Sequence, residues 1–521
     1  MRYLNKGKAD TKPQLPNRVS AALSVNIQEN IEQLRALLNA CSDVVIREFT
    51  FGRQQETRCV LLYFDGLVDR TEIEENLLKP MLLEINMLEK ESHPLEQKAL
   101  LQQIQEHILS LAEVKPVSTL EEICHHICSG DTVLLVDGNQ KGLAAGTRSW
   151  HTRAIQTPEN ESTIQGPKEG FNETLRLNTA LLRRRLKSTQ LKIESLLIGR
   201  ISQTDTAVCY LEDIAPAGLV DEVKDRLSGI DIDGVLDTGY LEEFLENTKW
   251  TIFSQVEYTE KPDRVCGHLL EGRVCIMVDG SPMALIVPTS FPQFLITGED
   301  YYQRFVPASL FRIMRFIAFF IALLLPSLYV AIISYHQEVV PSSLYLTIAS
   351  SREGVPFPAF VEALIMESVF ELLREAGLRL PRAIGPAVSI VGALIIGDAA
   401  VKAGLVSTPM VVVVAFTGIA SFISPAYNAG TIIRIARFGI LFASGLLGFF
   451  GILISLLMML IRMASLSSLG QPYLSPVAPF DRAQISDILL RRPWTMNTNR
   501  PYMDRMQNRS RQKKASNNNG G

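Results

Sequence analysis

The 521-residue chain is 47% hydrophobic and 20% charged, and its formal net charge is −4. This charge, with a sequence pI of about 6.1, argues against general nucleic-acid binding, which needs a concentrated basic surface. Most charges precede Arg315, and the long apolar runs follow it. The sequence therefore predicts an α/β soluble N-terminal region followed by an all-α, multi-span membrane domain.

Residues 1–40 are predicted to form a polar N-terminal extension. Residues 1–16 contain no apolar core, so no cleaved secretory signal is predicted. The odd number and scattered placement of the cysteines do not suggest a disulfide framework. These residues are Cys41, Cys59, Cys124, Cys128, Cys209, Cys266 and Cys275. A reducing, cytoplasmic environment is therefore expected for the soluble half.

Four short apolar runs in the soluble half end in an acidic turn, a pattern typical of buried strands. They are residues 59–66, 132–138, 208–213 and 274–280. Similar helical stretches follow the first and third runs, so we predict two related α/β subdomains, at residues 41–148 and 149–300. Two lobes can hold a ligand in a cleft or serve as an assembly surface, and we favour assembly.

Two motifs in the soluble half invite a specific chemistry. Residues 124–128, Cys-His-His-Ile-Cys, contain metal-ligand types, but no second ligand pair follows at zinc-finger spacing, so an ordinary helix is expected. Three arginines at 183–185 suit either phosphate binding or pairing with acidic surfaces, and the sequence leaves both open. Without a complete Gly-rich loop, metal set or nucleophile with its base, no cofactor, metal or enzymatic activity is predicted.

The predicted membrane domain covers residues 301–465, where uncharged runs approach the ~20 residues that a helix needs to cross ~30 Å of hydrocarbon. The candidate spans are residues 316–333, 383–401, 410–424 and 438–461. The run 383–401 is the weakest because it contains Asp398. An amphipathic helix is expected at residues 357–374, giving five crossings if it crosses and four if it lies at the interface.

Flanking charges predict the orientation of the first span. Arg304, Arg312 and Arg315 precede it, and positive residues tend to remain cytoplasmic, so the N-terminal half is expected in the cytoplasm. Residues 466–521 form a C-terminal segment with a basic tail, predicted to be disordered and to face solvent or lipid headgroups. A cytoplasmic tail favours an even number of crossings, whereas Arg374, Arg379, Arg382, Arg434 and Arg437 favour five. Both counts stay open.

Small and charged residues within the apolar region are further candidates. Gly445, Gly448 and Gly451 recur every three residues and predict close helix packing, within the chain or between subunits. Asp398 and Lys402, one helical turn apart, are a candidate intramembrane charge pair. The alternative is a structural pair near the membrane edge.

Extended strings of sequence carry a family resemblance. They include GPKEGFNETLRLNTALLRRR at 166–185, DIDGVLDTGY at 231–240, REGVPFPAFVE at 352–362 and PYLSPVAP at 472–479. In these motifs the chain resembles the A subunit of the GerA-type spore germinant receptors over most of residues 41–479. Asp398 departs from the pattern, because an amide is expected there.

The resemblance implies a multi-pass protein of the spore inner membrane that acts in nutrient sensing during germination. Its implied partners are a transporter-like B subunit that recognises the nutrient, a lipoprotein C subunit, further copies of itself and membrane lipid. The A subunit would form a ring that passes ions. SpoVAF-type paralogues, which amplify ion release, share the motifs and stay an alternative.

Glutamates on the amphipathic segment offer a physical route for ions. The candidate pore-lining residues are Glu362, Glu367, Glu371 and Glu375. At ~100° per residue the last three fall nearly on one face, which in a ring of subunits would form stacked acidic rings that favour cations. Two alternatives are an interfacial helix with surface pairs to Arg374 and Arg379, and a non-conducting scaffold that transmits the state of the nutrient-binding subunit.

Overall fold

The computed structural model describes residues 21–51, 57–84, 101, 104, 111, 113–149, 158, 161, 163–379, 395–423, 427–501, 506 and 508–512. These residues fall into two compact units. The first draws on Met1–Ile155, Thr174–Ser195 and Ala207–Glu212, and the second draws on Gln156–Glu173, Leu196–Thr206 and Asp213–Gly521.

The first unit contains a five-stranded antiparallel sheet of order β1-β2-β4-β5-β3. Its strands are β1 Val44–Phe51, β2 Thr57–Phe64, β3 Val114–Val117, β4 Thr132–Val136 and β5 Gly142–Ala145. Its helices are α1 Ile27–Leu37, α2 Arg70–Ile73, α3 Leu120–Cys128 and α4 Leu175–Arg185, with π-helical turns at Glu74–Leu78 and Pro80–Glu84.

Both faces of this sheet are covered at its centre, which explains the continuous apolar runs of β2 and β4. Along β2, Leu62 packs into the core beneath α1 and α3, whereas Leu61 packs into a second core with Leu77. Ile31 and Leu34 of α1 belong to the first of these cores. The described residues 21–40 are therefore part of the first unit, which corrects the prediction of a polar extension through residue 40.

A second five-stranded sheet has the order β6-β7-β9-β10-β8. Its strands are β6 Leu191–Ile198, β7 Thr204–Leu211, β8 Glu257–Thr259, β9 Val274–Val278 and β10 Ala284–Val287. Numbered within each sheet, the two orders are the same, as expected for related α/β subdomains. The four predicted strands are confirmed as β2, β4, β7 and β9.

The remaining helices and short turns all lie in the second unit. After α5 Ala217–Ser228, α6 Gly239–Leu245 and α7 Pro262–Leu269 come 3-10 turns at Phe291–Leu295 and Gly298–Tyr301. The helical region then contains α8 Phe305–Tyr335, α9 Ser342–Arg352, α10 Ala359–Arg379, α11 Ala400–Lys402, α12 Thr408–Phe422, α13 Tyr427–Leu447, α14 Phe449–Ser465 and α15 Arg482–Leu489. A two-stranded ribbon, β11 Ser467–Ser468 and β12 Gln471–Pro472, separates the last two helices.

Two helices within the described residues are long and apolar enough to cross a membrane, Phe305–Tyr335 and Asn428–Leu447. Two shorter apolar helices are Thr408–Phe422 and Phe449–Ser465. The predicted amphipathic helix is present as α10. Most of the weakest candidate span, residues 383–394, lies outside the described residues; the remainder forms a π-helical turn and α11.

The prediction of one span at residues 438–461 is wrong, because the chain turns at Gly448. This residue has a φ of 58°, a conformation that costs glycine little, and it separates α13 from α14. Ile432 on α13 shares an apolar cluster with Met463 on α14. The two helices therefore run antiparallel, as a hairpin within the uncharged run.

Candidate functional site

The four predicted pore-lining glutamates all lie on α10, and the structure gives each of them a polar partner within the chain. Glu362 is buried at the start of the helix, where Oε1 accepts hydrogen bonds from the backbone N–H and the hydroxyl of Ser407, both at 2.5 Å. Nε of Arg352 lies 3.4 Å from its other oxygen. Glu362 is thereby tied to α9 and to the residue that precedes α12.

Two further glutamates face arginines on α13. Nη2 of Arg437 lies 3.2 Å from Oε2 of Glu367, and both side chains are 1% exposed. Nη1 of Arg434 donates to Oε1 of Glu371 at 2.9 Å. The glutamates are four residues apart and the arginines three, so both pairs can form between the same two helix faces. We call these two ion pairs the charge layer.

Glu375 belongs to the solvent-exposed end of α10. It accepts from Nη2 of Arg379 at 2.6 Å, and both side chains are largely exposed. The surface pair considered from the sequence between Glu375 and Arg379 is therefore present, whereas Glu371 pairs across to α13. With one arginine near each glutamate, the single chain balances the acidic charge of α10. A pore-lining role for these residues stays a prediction.

The candidate charge pair of Asp398 and Lys402 is in contact. Nζ of Lys402 donates to Oδ2 of Asp398 at 2.6 Å, with side chains 74% and 60% exposed. Such an exposed i,i+4 pair stabilises a protein by only a few tenths of a kcal/mol.

The three candidate packing glycines each meet a neighbour in their own chain. A Cβ at Gly445 would lie 2.4 Å from the Phe360 ring, one at Gly448 would lie 2.8 Å from His336, and one at Gly451 would lie 2.1 Å from the carbonyl of Ala443. These contacts agree with packing within the chain. Because Gly448 ends a helix, the three residues do not share one helical face.

Two of the three arginines that precede the first span, Arg312 and Arg315, are paired within the chain. Asp300 receives hydrogen bonds from Arg312 and Arg315, and Arg312 also donates to the carbonyl of Asp487 near the end of α15. Arg312 is fully buried. The base of α8 is thus joined to the C-terminal segment.

Two motifs from the soluble half have structural roles. Arg183 is buried, lies over the Phe64 ring and donates to both oxygens of Asp43 at 2.7 and 2.8 Å. This pairing accounts for one of the three consecutive arginines. In α3, His126 contacts Asp131 at 2.7 Å, and no group of three or more metal-ligand side chains is found within the described residues.

Sequence reasoning missed the basic partners of the charge layer. Arg434 and Arg437 were considered as signals of orientation rather than as partners of buried acids. The sequence did contain a signal for this pairing. Arg434 and Arg437 are three residues apart and Glu367 and Glu371 are four apart, so each set lies on one face of its helix. The sequence could not show that α10 and α13 are neighbours.

Two sheets of like order, followed by apolar helices whose charges are paired inside the chain, point to a membrane-associated protein with a large extramembrane region. Comparisons with known proteins then give the family. The family described as Bacillus/Clostridium GerA spore germination protein matches residues 32–503. The chain belongs to this family of spore germination proteins, which is not a known enzyme family.

Two relatives and one solved domain illustrate the similarity. The chain is 42% identical over 495 residues to the uncharacterized membrane protein YfkQ of Bacillus subtilis, covering 94% of this chain and 93% of that protein. It is 41% identical over 492 residues to spore germination protein KA of Bacillus subtilis, covering 94% and 89%. The N-terminal domain of the A subunit of the Bacillus megaterium spore germinant receptor GerK3 is matched over 53% of this chain and 99% of that domain, with 32% identity and a TM-score of 0.42.

Proposed function

We propose that the chain is the A-type membrane subunit of a spore germinant receptor and that its copies form a nutrient-gated cation channel in the spore inner membrane. The observation that carries this proposal is the charge layer between α10 and α13. A buried Glu367–Arg437 pair within an apolar helical region is costly, so it suggests a role beyond packing.

The geometry of the charge layer suits an element with two states. Neither oxygen of Glu367 has a hydrogen-bond partner within the described residues, and Arg437 likewise donates no hydrogen bond from its guanidinium. A buried ion pair is stable only when hydrogen bonds satisfy its remaining atoms. A modest shift of α10 against α13 would therefore expose a carboxylate face to water, as a cation path requires.

We further propose an even number of membrane crossings, with both ends of the chain on the cytoplasmic side. Asn247 ahead of β8 donates to the carbonyl of Ser467 in β11 at 2.9 Å, and Arg312 donates to Asp487. The second α/β subdomain and the C-terminal segment thus share one side. An even number of crossings agrees with this arrangement and an odd number does not.

The proposed partners are a transporter-like B subunit that recognises the nutrient, a lipoprotein C subunit and further copies of the chain. In this scheme the nutrient binds the B subunit and favours one of the two states of the charge layer. It can do so only if the receptor binds the nutrient more tightly in that state.

Cation flux in liposomes tests the channel. The chain, reconstituted with B and C partners, is compared with Glu367→Gln, with Glu371→Gln and with Glu338→Gln, whose side chain lies in the exposed turn after α8. We expect the first two variants to lose cation-over-anion selectivity and the third to retain it. Unchanged selectivity in all three, at equal assembly, would exclude these carboxylates from the ion path.

A non-conducting scaffold is the second candidate, favoured by the one-to-one pairing of the α10 glutamates with arginines. It predicts no flux from any assembly, while the chain still recruits the B subunit. If the chain is instead a SpoVAF-type amplifier, we expect flux from the chain reconstituted without B and C subunits. Omitting those partners therefore distinguishes the amplifier from the receptor channel and from the scaffold.

A further inference from the structure

A cavity of about 330 Å³ lies in the second unit, apart from the charge layer. Its walls come from α7, from the two 3-10 turns ahead of α8 and, in the C-terminal segment, from residues 471–501 and Arg511. A volume of this size is at the lower end of the range for small-molecule sites, about 300–1,000 Å³.

The first wall is a buried charged cluster. Glu257 lies 2.6 Å from Arg264 and 3.2 Å from His268, and Glu271 lies 3.3 Å from Arg511. Burial by itself raises the pKa of Glu257, but Arg264 and His268 lower it well below its usual range. Burial also opposes the charge of Glu271, whose pKa the neighbouring cations, His268 first, lower to about 2. Both carboxylates are therefore ionised.

Arg273 is the least satisfied member of this wall. It is 6% exposed, yet its Nε and Nη1 have no hydrogen-bond partner within the described residues, and its nearest carboxylates are 3.8 and 3.9 Å away. Burial lowers the pKa of Arg273, and Glu271 and Glu257 only partly reverse that effect. Two donors of this buried guanidinium thus lack a hydrogen-bond partner in the wall of the cavity.

The C-terminal segment supplies the second wall and part of the positive charge. The guanidinium groups of Arg491 and Arg511 lie 5.8 and 5.7 Å from the centroid of the Trp494 ring, and the Tyr301 ring lies 5.7 Å from it. Nε of Arg500 donates to the carbonyl of Leu270 at 2.7 Å. The described part of this segment is therefore packed on α7 and its turn, which corrects the prediction of a disordered basic tail there.

The cavity lining has an excess of positive charge. Five arginines and His268 face three carboxylates, namely Arg264, Arg273, Arg492, Arg500 and Arg511 against Asp263, Glu271 and Asp487. Behind the lining, Glu257 and Glu161 pair with Arg264, so the excess is confined to the lining itself. Burial and the proximity of Arg511 lower the pKa of Arg500, as expected where cations crowd one another.

We propose that this cavity binds a small organic anion, with its phosphate or carboxylate group at Arg273 and its flat or apolar body against Trp494. Guanidinium groups bind such oxyanions through charge-assisted hydrogen bonds, and an indole ring binds a flat body by stacking. Because the cavity joins α7 to the C-terminal segment, a bound anion also fastens that segment to the second α/β subdomain. The proposal does not depend on channel activity.

Tryptophan fluorescence of the full-length protein in nanodiscs tests the site. Replacing Trp150 and Trp250 by Phe leaves Trp494 as the single reporter. We expect phenyl phosphate to change its emission saturably, whereas benzyl alcohol, which lacks the acid group, has no saturable effect at the same concentrations. Inorganic phosphate, which lacks the flat body, should bind more weakly than phenyl phosphate.

Variants of two lining arginines provide the matched comparison. Arg273→Gln should raise the half-saturating concentration of phenyl phosphate about tenfold. Arg492→Gln, whose side chain is only partly buried, should weaken binding while preserving the fold if Arg273→Gln unfolds. Arg200→Gln, at an exposed pair with Asp233, should leave the titration unchanged.

The membrane composition separates two sources of the same chemistry. If a lipid headgroup occupies the cavity, nanodiscs with phosphatidylglycerol should shift the Trp494 emission and raise the phenyl phosphate midpoint by competition, relative to phosphatidylcholine alone. If the natural ligand is a free anion, the two titrations should coincide. No saturable change in either membrane, or equal binding by the folded Arg273→Gln, Arg492→Gln and Arg200→Gln variants, would overturn the proposal.

Discussion

The charge layer and the cavity both bury charged side chains, but only the charge layer balances them. Glu367 and Glu371 each face one arginine across two helices, whereas the arginines around the cavity outnumber its carboxylates. A balanced pair is complete within the chain, so its free energy is sensitive to the loss of either partner. An excess of positive charge lacks its counter-charge within the chain, so the stability of the cavity region should depend on whether an anion is bound.

The largest effect is expected when one half of the buried pair is removed. Glu367→Gln leaves Arg437 buried without its counter-charge and should reduce the free energy of unfolding by about 3–5 kcal/mol. The double variant Glu367→Gln with Arg437→Gln should recover much of that loss. Denaturant unfolding in detergent measures both; equal losses in the single and double variants would show that the pair does not couple.

Ligand binding should stabilise the cavity region by a smaller amount. Phenyl phosphate at a hundred times its Kd should raise the free energy of unfolding by about 2.7 kcal/mol in the wild-type chain. The same stabilisation should remain in Arg200→Gln and be much reduced in Arg492→Gln. Thermal unfolding with and without phenyl phosphate measures this stabilisation. Equal rises in melting temperature in Arg200→Gln and Arg492→Gln would contradict the proposal that the excess of arginines in the cavity binds the anion.

Glu271 should contribute to acid sensitivity. Its pKa is lowered from 4.5 to about 2, so the stabilisation it provides is present above pH 4.5 and is lost as the pH falls toward 2. Relative to wild type, Glu271→Gln should flatten the pH dependence of stability in this window, by on the order of 1–2 kcal/mol. Unfolding curves at pH 5 and pH 3 test this, with Glu338→Gln as the control. If Glu271→Gln leaves the pH dependence of stability unchanged, Glu271 does not contribute to the acid sensitivity.

The smallest effect is expected at the exposed end of α10. Glu375→Gln breaks a pair with Arg379 that water and salt already screen, so stability should fall by only about 0.3–0.5 kcal/mol. Raising the salt concentration should shrink the difference further. A loss as large as that of Glu367→Gln would mean that oligomer assembly buries Glu375.

Local patterns predicted much of the fold. The apolar runs ending in acidic turns became β2, β4, β7 and β9, and Gly66, Gly138 and Gly280 adopt the positive φ that such turns require. The amphipathic pattern at residues 357–374 became α10. These successes share a cause, because each element follows from side-chain periodicity within one short segment.

Contacts between distant segments were not predictable in the same way. By composition, residues 438–461 form one apolar run. In the structure the chain reverses direction at Gly448, whose φ is positive, and α13 packs against α14 as a hairpin. The composition of the basic tail suggested disorder, yet Arg500 and Arg511 find partners at Leu270 and Glu271.

The sequence by itself determined the division into a charged N-terminal half and an apolar half, four of the buried strands, the helices α8 and α10, and the family. Only the tertiary structure decided that α10 faces the arginines of α13 and that the C-terminal segment closes a cavity on α7. The physical reason is that hydrophobic periodicity is a local property, whereas a buried charge is defined by the partner that packing brings to it.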